Sequence, residues 1–311
     1  MKRTNLIILA LAATCAITLS ARAGVLVNDT WGDSDRTDPA APTYAENNGV
    51  TGFDADSDGN LESAWFKGGS GTMSAAPGDL QISGITNSSF WTTYFTPEAT
   101  PASLANVGDS LIITWIFTPT GTITQNGSQG FNVALAQTPS GVRLTADGSA
   151  PSAAYQAYAV QMNMSPTFAN SNPFQLREWS LAGSGSLLGT GANYTSLING
   201  GTSGNTGYAA GTAYTFLMSL TRTVSGLDIN ASMTGGSLDG TGAISVSYSD
   251  STPQGYTYDT FAIRPSGSST GAAQYDTSLF KVELVQVPEP ATFALAGLGL
   301  LGLIFARRAR R

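Results

Sequence analysis

The chain has 311 residues, 41% of them hydrophobic and only 11% charged, room for one large β domain or two small ones between its terminal segments. It holds no histidine and a single cysteine, which excludes Ser-His-Asp and Cys-His nucleophilic machinery, His-ligated zinc or copper, and any disulfide within the chain. A formal charge of −7 disfavours nucleic acid as a partner.

The chain opens with Lys2 and Arg3, an apolar stretch over 6–19, and Ala21-Arg22-Ala23. These are the n-region, h-region and A-x-A site of a secretory signal peptide covering 1–23, with a signal helix and cleavage after Ala23. Cys15 falls inside it, and the preceding Ala12-Ala13-Thr14 lacks the leucine of a lipoprotein signal, so no lipid is expected there.

Past a first strand at 25–28, Asp29, Asp33, Asp35 and Asp38 form an acidic cluster, of a kind that turns commonly carry. The next acidic run is better ordered: Asp54, Asp56 and Asp58 alternate, Gly59 permits a sharp turn, and Glu62 follows. Hard cations take six to eight oxygen ligands, so this loop is the candidate calcium site. Its opening resembles an EF-hand or dockerin loop, but the twelfth position is Trp65 where a bidentate acid belongs. Trp65 and Trp91 are the candidate glycan contacts, because sugars stack on aromatic faces.

Strands are predicted at 79–83, 90–95, 131–136, 156–164, 174–180, 243–249, 258–264 and 279–287. The segment 111–117 is apolar on both faces and reads as a central strand with Trp115 in the core. Gly-rich 183–211 reads as long loops. Tyr214, Phe216, Met218, Leu220 and Val224 alternate with Thr and Ser, and Ser225-Gly226 makes a two-residue turn into a second alternating strand, 227–234.

A dozen strands joined by Gly/Ser/Asn-rich turns read as an all-β, two-sheet antiparallel jelly-roll sandwich over 24–286. The hairpin 214–234, followed by 244–248, 258–264 and 280–285, resembles the closing strands of a concanavalin A-like lectin/glucanase fold. The glucanase branch carries Glu-x-Asp-x-x-Glu on one strand, which is absent here; Glu178 and Glu283 stand alone on their strands. No carboxylate pair suited to glycoside hydrolysis is legible, and no catalytic residue is assigned.

Residues 287–311 contain Val287-Pro288-Glu289-Pro290, an uncharged run of 17 residues over 290–306, and Arg307, Arg308, Arg310 and Arg311. As a helix the run reaches about 25 Å, a little short of the roughly 30 Å hydrocarbon core. The arginines resist translocation and leave everything before Val287 on the far side of the inner membrane. This tail resembles the PEP-CTERM sorting signal, with Pro288, Glu289 and Pro290 as the motif. The resemblance implies a transmembrane sorting helix and processing by an exosortase-type membrane protease, often in bacteria that make exopolysaccharide.

Without leader and tail, seven basic residues face twenty acidic ones, a balance of −13. The expectation is an exported envelope or matrix protein, anchored as a precursor and then released to the cell surface or extracellular matrix. Its partners are the exosortase-type protease, the inner membrane transiently, and exopolysaccharide or another glycan. It is adhesive or carbohydrate-associating and not an enzyme, with calcium as the one cofactor candidate. A surface glycan hydrolase or lyase, and a purely structural coat protein, are the alternatives.

Overall fold

The computed structural model describes residues 22–36, 59–85, 89–127, 129–189, 192–200, 204–265 and 271–287. Seventeen strands follow in chain order: β1 (Arg22–Asp29), β2 (Trp65–Gly68), β3 (Thr72–Ala76), β4 (Asp79–Ser83), β5 (Phe90–Tyr94), β6 (Ala102–Ser103), β7 (Ser110–Thr120), β8 (Phe131–Gln137), β9 (Gln156–Met162), β10 (Phe174–Trp179), β11 (Tyr194–Gly200), β12 (Tyr214–Arg222), β13 (Leu227–Thr234), β14 (Ala243–Asp250), β15 (Thr257–Tyr258), β16 (Thr260–Pro265) and β17 (Gln274–Gln286). The protein is all-β.

One sheet runs β14-β13-β12-β7-β17-β4-β3, with β1 beside the second half of β17; the other runs β11-β10-β9-β8-β16-β5-β2. Every pairing in both is antiparallel. The sheets form a sandwich. β6 and β15 make a separate two-stranded ribbon.

The core lies between the two inner faces. β7 sends Leu111, Ile113, Trp115 and Phe117 inward, all fully buried, while Ile112 and Ile116 are half-buried on the outer side. That half-cover explains why the segment reads as apolar throughout. Trp115 stacks on Phe117 with ring centroids 4.1 Å apart, and Phe131 of the opposite sheet lies 6.1 Å away. β17 is the hinge of the first sheet: β7 runs along one side of it, and β4 and β1 share the other. A bulge between Thr277 and Leu279 lets it serve both partners.

Three expectations are corrected. The β12–β13 connection is a four-residue loop, because Arg222 already pairs with Leu227 and Thr223 N–H donates to the Gly226 carbonyl at 2.9 Å. Val224, which the alternation puts on the apolar face with Leu220, therefore stands at the tip, 90% exposed. The stretch 183–211 contains β11, an edge strand of the second sheet. The transmembrane segment and residues 1–21 of the signal segment fall outside the described residues, while Arg22 and Ala23 open β1; among the described residues no helix is long and apolar enough to cross a membrane.

Candidate functional site

Side chains directly opposite one another in adjacent strands share a face. In the second sheet one such row crosses five strands: Arg264 pairs with Asn132, Asn132 with Gln161, Gln161 with Gln175, and Gln175 with Asn199. The row lies on the outer face, with Ala134, Ala136, Ala157 and Ala159 filling the neighbouring outward positions. These alanines are buried beneath Tyr155, Trp179, Leu187, Leu188 and Tyr194, and Asn132, Gln161 and Gln175 are buried with them, so that only the ends of the row reach solvent.

Gln175 Nε2 donates to Asn199 Oδ1 at 2.5 Å, and Arg177 Nε donates to Gln175 Oε1 at 2.9 Å. At the other end Arg264 Nη1 and Asn132 Nδ2 both donate to the Leu188 carbonyl, at 2.9 and 3.4 Å. Asn132 is 2% exposed and its Oδ1 is a buried acceptor with no partner. Buried amide oxygens are nearly always satisfied, so this one marks a place where a donor fits. The segment around Leu188 is held over the row: Asn193 Nδ2 donates to Ser186 O at 2.8 Å, and Gly185 and Ala153 exchange backbone hydrogen bonds. Asn199 is exposed and Arg177 half-buried, so the row opens to solvent at its β10–β11 end.

Nearer the interior, Glu178 shares a hydrogen bond with Asp250 of the opposite sheet. Tyr158 Oη donates to Asp250 Oδ2, and Thr252 N–H to Asp250 Oδ1 at 2.9 Å. Burial, then the neighbouring Asp250 charge, push the Glu178 carboxyl up to about 7. A raised carboxyl pKa means the folded protein holds a proton that the unfolded chain, near 4.5, has released. The stabilisation is complete below about pH 4.5 and is lost as the pH rises through 7. Glu178→Gln keeps a donor toward Asp250. Thermal melts should therefore show it matching the parent at pH 4.5 and exceeding it by a few degrees at pH 8, about 1–2 kcal/mol after allowance for solvent screening. Parallel melting curves across that range would refute the shared proton.

The third place of interest is the end of β17. Asp109, fully buried, accepts Val287 N–H on Oδ1 at 2.7 Å and Asn106 N–H on Oδ2 at 2.8 Å. The chain is thus tied down at the residue before Pro288.

Trp65 and Trp91, named as glycan contacts, are each 1% exposed. Trp65 packs on Trp31, Phe261 and Phe280, and Trp91 on Phe131 and Tyr275. That role is corrected: neither ring has a face to offer, because the sandwich interior takes its bulk from aromatics. Of the calcium ligands, Asp54, Asp56 and Asp58 lie outside the described residues. Glu62 is buried and accepts from Asn60 Nδ2 at 3.3 Å, and among the described residues no cluster of three or more His, Cys, Asp or Glu stands ready for a metal. Ala21, Pro288, Glu289, Pro290, Arg307, Arg308, Arg310 and Arg311 also lie outside; Ala23 is in β1, opposite Val285. Glu283 is paired with Lys281 at 2.8 Å.

Residues 286–311 match the PEP-CTERM protein-sorting motif. No curated protein matches the chain. Among solved structures, the lectin I of Ulex europaeus in complex with the methyl glycoside of α-L-fucose is 13% identical, with 71% of this chain and 98% of that one covered at a TM-score of 0.41. The metal-free Emp46p carbohydrate recognition domain gives 10% identity, 70% and 87% coverage and 0.41. The CBM2 module of the evolved Dit of Lactobacillus casei BL23 phage J-1 gives 12%, 87% and 100%, and 0.40. Likenesses this distant carry no ligand across. The chain is a two-sheet β-sandwich protein with a PEP-CTERM sorting motif, which marks it as exported and surface-directed.

Proposed function

We propose that this is a cell-surface or matrix protein that associates with a glycan, exopolysaccharide included, through the outer face of its second sheet, after an exosortase-type protease has cut near Pro288-Glu289-Pro290. The observation that carries the reading is the open β10–β11 end of the Arg264–Asn132–Gln161–Gln175–Asn199 row, where exposed Asn199 and half-buried Arg177 both engage Gln175. Amides offer a donor and an acceptor side by side, the complement of paired sugar hydroxyls. Arg264 ends the row on β16 and Arg177 stands beside Gln175 on β10, in a body otherwise strongly acidic, which favours a saccharide that carries carboxylates. The strand order fits a jelly-roll sandwich of the concanavalin A-like kind. The role is binding rather than catalysis: Glu178 and Asp250 are in hydrogen-bond contact, whereas glycoside hydrolysis places its carboxyls roughly 5–9.5 Å apart. Calcium remains the cofactor proposed for Asp54, Asp56, Asp58 and Glu62, whose alternating carboxylates suit a hard cation.

The test is binding of the exported protein to a glycan array that includes acidic polysaccharides, with and without chelator. Asn199→Ala and Arg177→Ala lie at the open end of the row and should each weaken binding about tenfold, the loss of roughly one charge-assisted hydrogen bond, with unchanged melting temperature. Full binding by both variants removes the row as the site; no binding to any glycan favours the coat protein. Binding that persists in chelator removes calcium from the account.

A further inference from the structure

Three loops gather around Val287. Residues 101–108 reach it directly: Gly108 has a φ of 95°, and a Cβ there would stand 2.9 Å from Val287 Cγ2, so only glycine lets the two approach. The 223–226 turn is fastened to that loop by Gly108 N–H to Arg222 O at 2.8 Å and by Arg222 Nη1 to the Leu104 and Ala105 carbonyls, both at 2.8 Å. Residues 251–257 join through Leu104 N–H to Tyr256 O at 2.9 Å, with the Arg222 guanidinium 4.2 Å above the Tyr256 ring. None of the three segments contains a charged residue, in a body of net −13. Among the described residues three large apolar side chains are exposed, and two of them, Val107 at 52% and Val224 at 90%, are here.

The same end receives the start of the chain. β1 and β17 run antiparallel, with Arg22 opposite Gln286 and Ala23 opposite Val285, so the leader enters where the tail leaves. From Val287, held by Asp109, to Pro290 at the head of the uncharged run is three residues. Fully extended, they span about 11 Å, roughly one and a half to two headgroup layers.

We infer that this neutral end, with Val107 and Val224 at its tips, rests against the outer surface of the bilayer while leader or tail is still embedded. The inference rests on the sorting reading above. An anchor so short holds this end nearest the membrane, and its loop tips present no carboxylate to anionic headgroups, Asp109 being fully buried on two backbone N–H groups. Two valines contribute only weak burial in the headgroup layer, so contact lasts as long as the anchor does. Both topogenic segments meeting at one end also means the sandwich closes while both remain in the same membrane.

The experiment uses the full precursor in liposomes, in a Cys15→Ser background, with Val107→Cys, Val224→Cys or Ser237→Cys carrying a fluorophore, and lipids bearing a headgroup quencher. Ser237 lies beyond the opposite end of β13, an eight-residue strand, so about 25 Å away along the sheet. Dyes at 107 and 224 should be quenched several-fold more than the dye at 237. Equal quenching at all three positions in a precursor that floats with the vesicles overturns the orientation and leaves the sorting reading intact. A precursor that does not float removes the sorting reading, and this inference with it.

Discussion

Replacing Arg143 with methionine is expected to destabilise the protein by about 3–5 kcal/mol, because it strands a buried carboxylate. Asp259 is fully buried, and Arg143 Nη2 reaches its Oδ2 at 2.9 Å from a side chain only 5% exposed. Asp259 Oδ1 also accepts from Thr138 N–H at 2.8 Å and Thr260 Oγ1 at 2.6 Å. Burial lifts the Asp259 carboxyl above its ordinary range, and Arg143 is the strongest influence pulling it back. Without the guanidinium the carboxyl rises further, so the variant should recover stability as the pH falls toward 5, where the unfolded chain also begins to take up the proton. The charge-free pair Arg143→Met/Asp259→Asn should regain most of the loss. Arg143 does mechanical work too: Nη1 donates to the Thr96 carbonyl, and its guanidinium lies 4.8 Å over the Tyr94 ring. Urea melts of the two single variants and the double decide it; a loss below 1 kcal/mol in Arg143→Met would mean that water replaces the arginine.

Trp115→Ala is the second large effect, about 3–5 kcal/mol by cavity formation, or roughly 6–20 °C in melting temperature for a domain of this size. The indole is fully buried, touches Phe117, Phe131 and Phe261, and donates from Nε1 to Thr277 Oγ1 at 3.1 Å. Its strand lies between β12 and β17, with Phe216 and Phe280 as cross-strand partners, so collapse into the void would have to bend three strands at once. Trp115→Phe should cost less than half as much, and adding Thr277→Val to it should return the part due to the stranded hydroxyl. If Trp115→Ala melts within a few degrees of the parent, the centre of the sandwich is looser than these contacts imply.

Much of the fold was legible because its longer strands alternate. β12 and β13 show their inward faces in the sequence, and β7 betrays its central place by being apolar on both sides. β2, β3 and β11 escaped for different reasons. Trp65-Phe66-Lys67-Gly68 is four residues running into further glycines, too short to show a period, and β11 is an edge strand of mixed exposure inside a Gly/Ser-rich stretch. The candidate site was illegible in a stricter sense. Arg264, Asn132, Gln161, Gln175 and Asn199 become a row only through the register of four pairings, which no local window contains. Glu178 looked solitary because Asp250 joins it from the other sheet, 72 residues onward. The two tryptophans misled because aromatic content cannot distinguish a binding platform from filling.

β17 lies inside its sheet although it is the last strand of the described chain, and it is the partner of the first. On the proposed export route, leader end first, β1 waits with no partner and β4 and β7 wait open along one edge each until residues 274–286 have crossed. The proposed anchor just beyond that point would give a slow, long-range closure time to finish beside the translocation exit, before release dilutes an incomplete molecule into its surroundings.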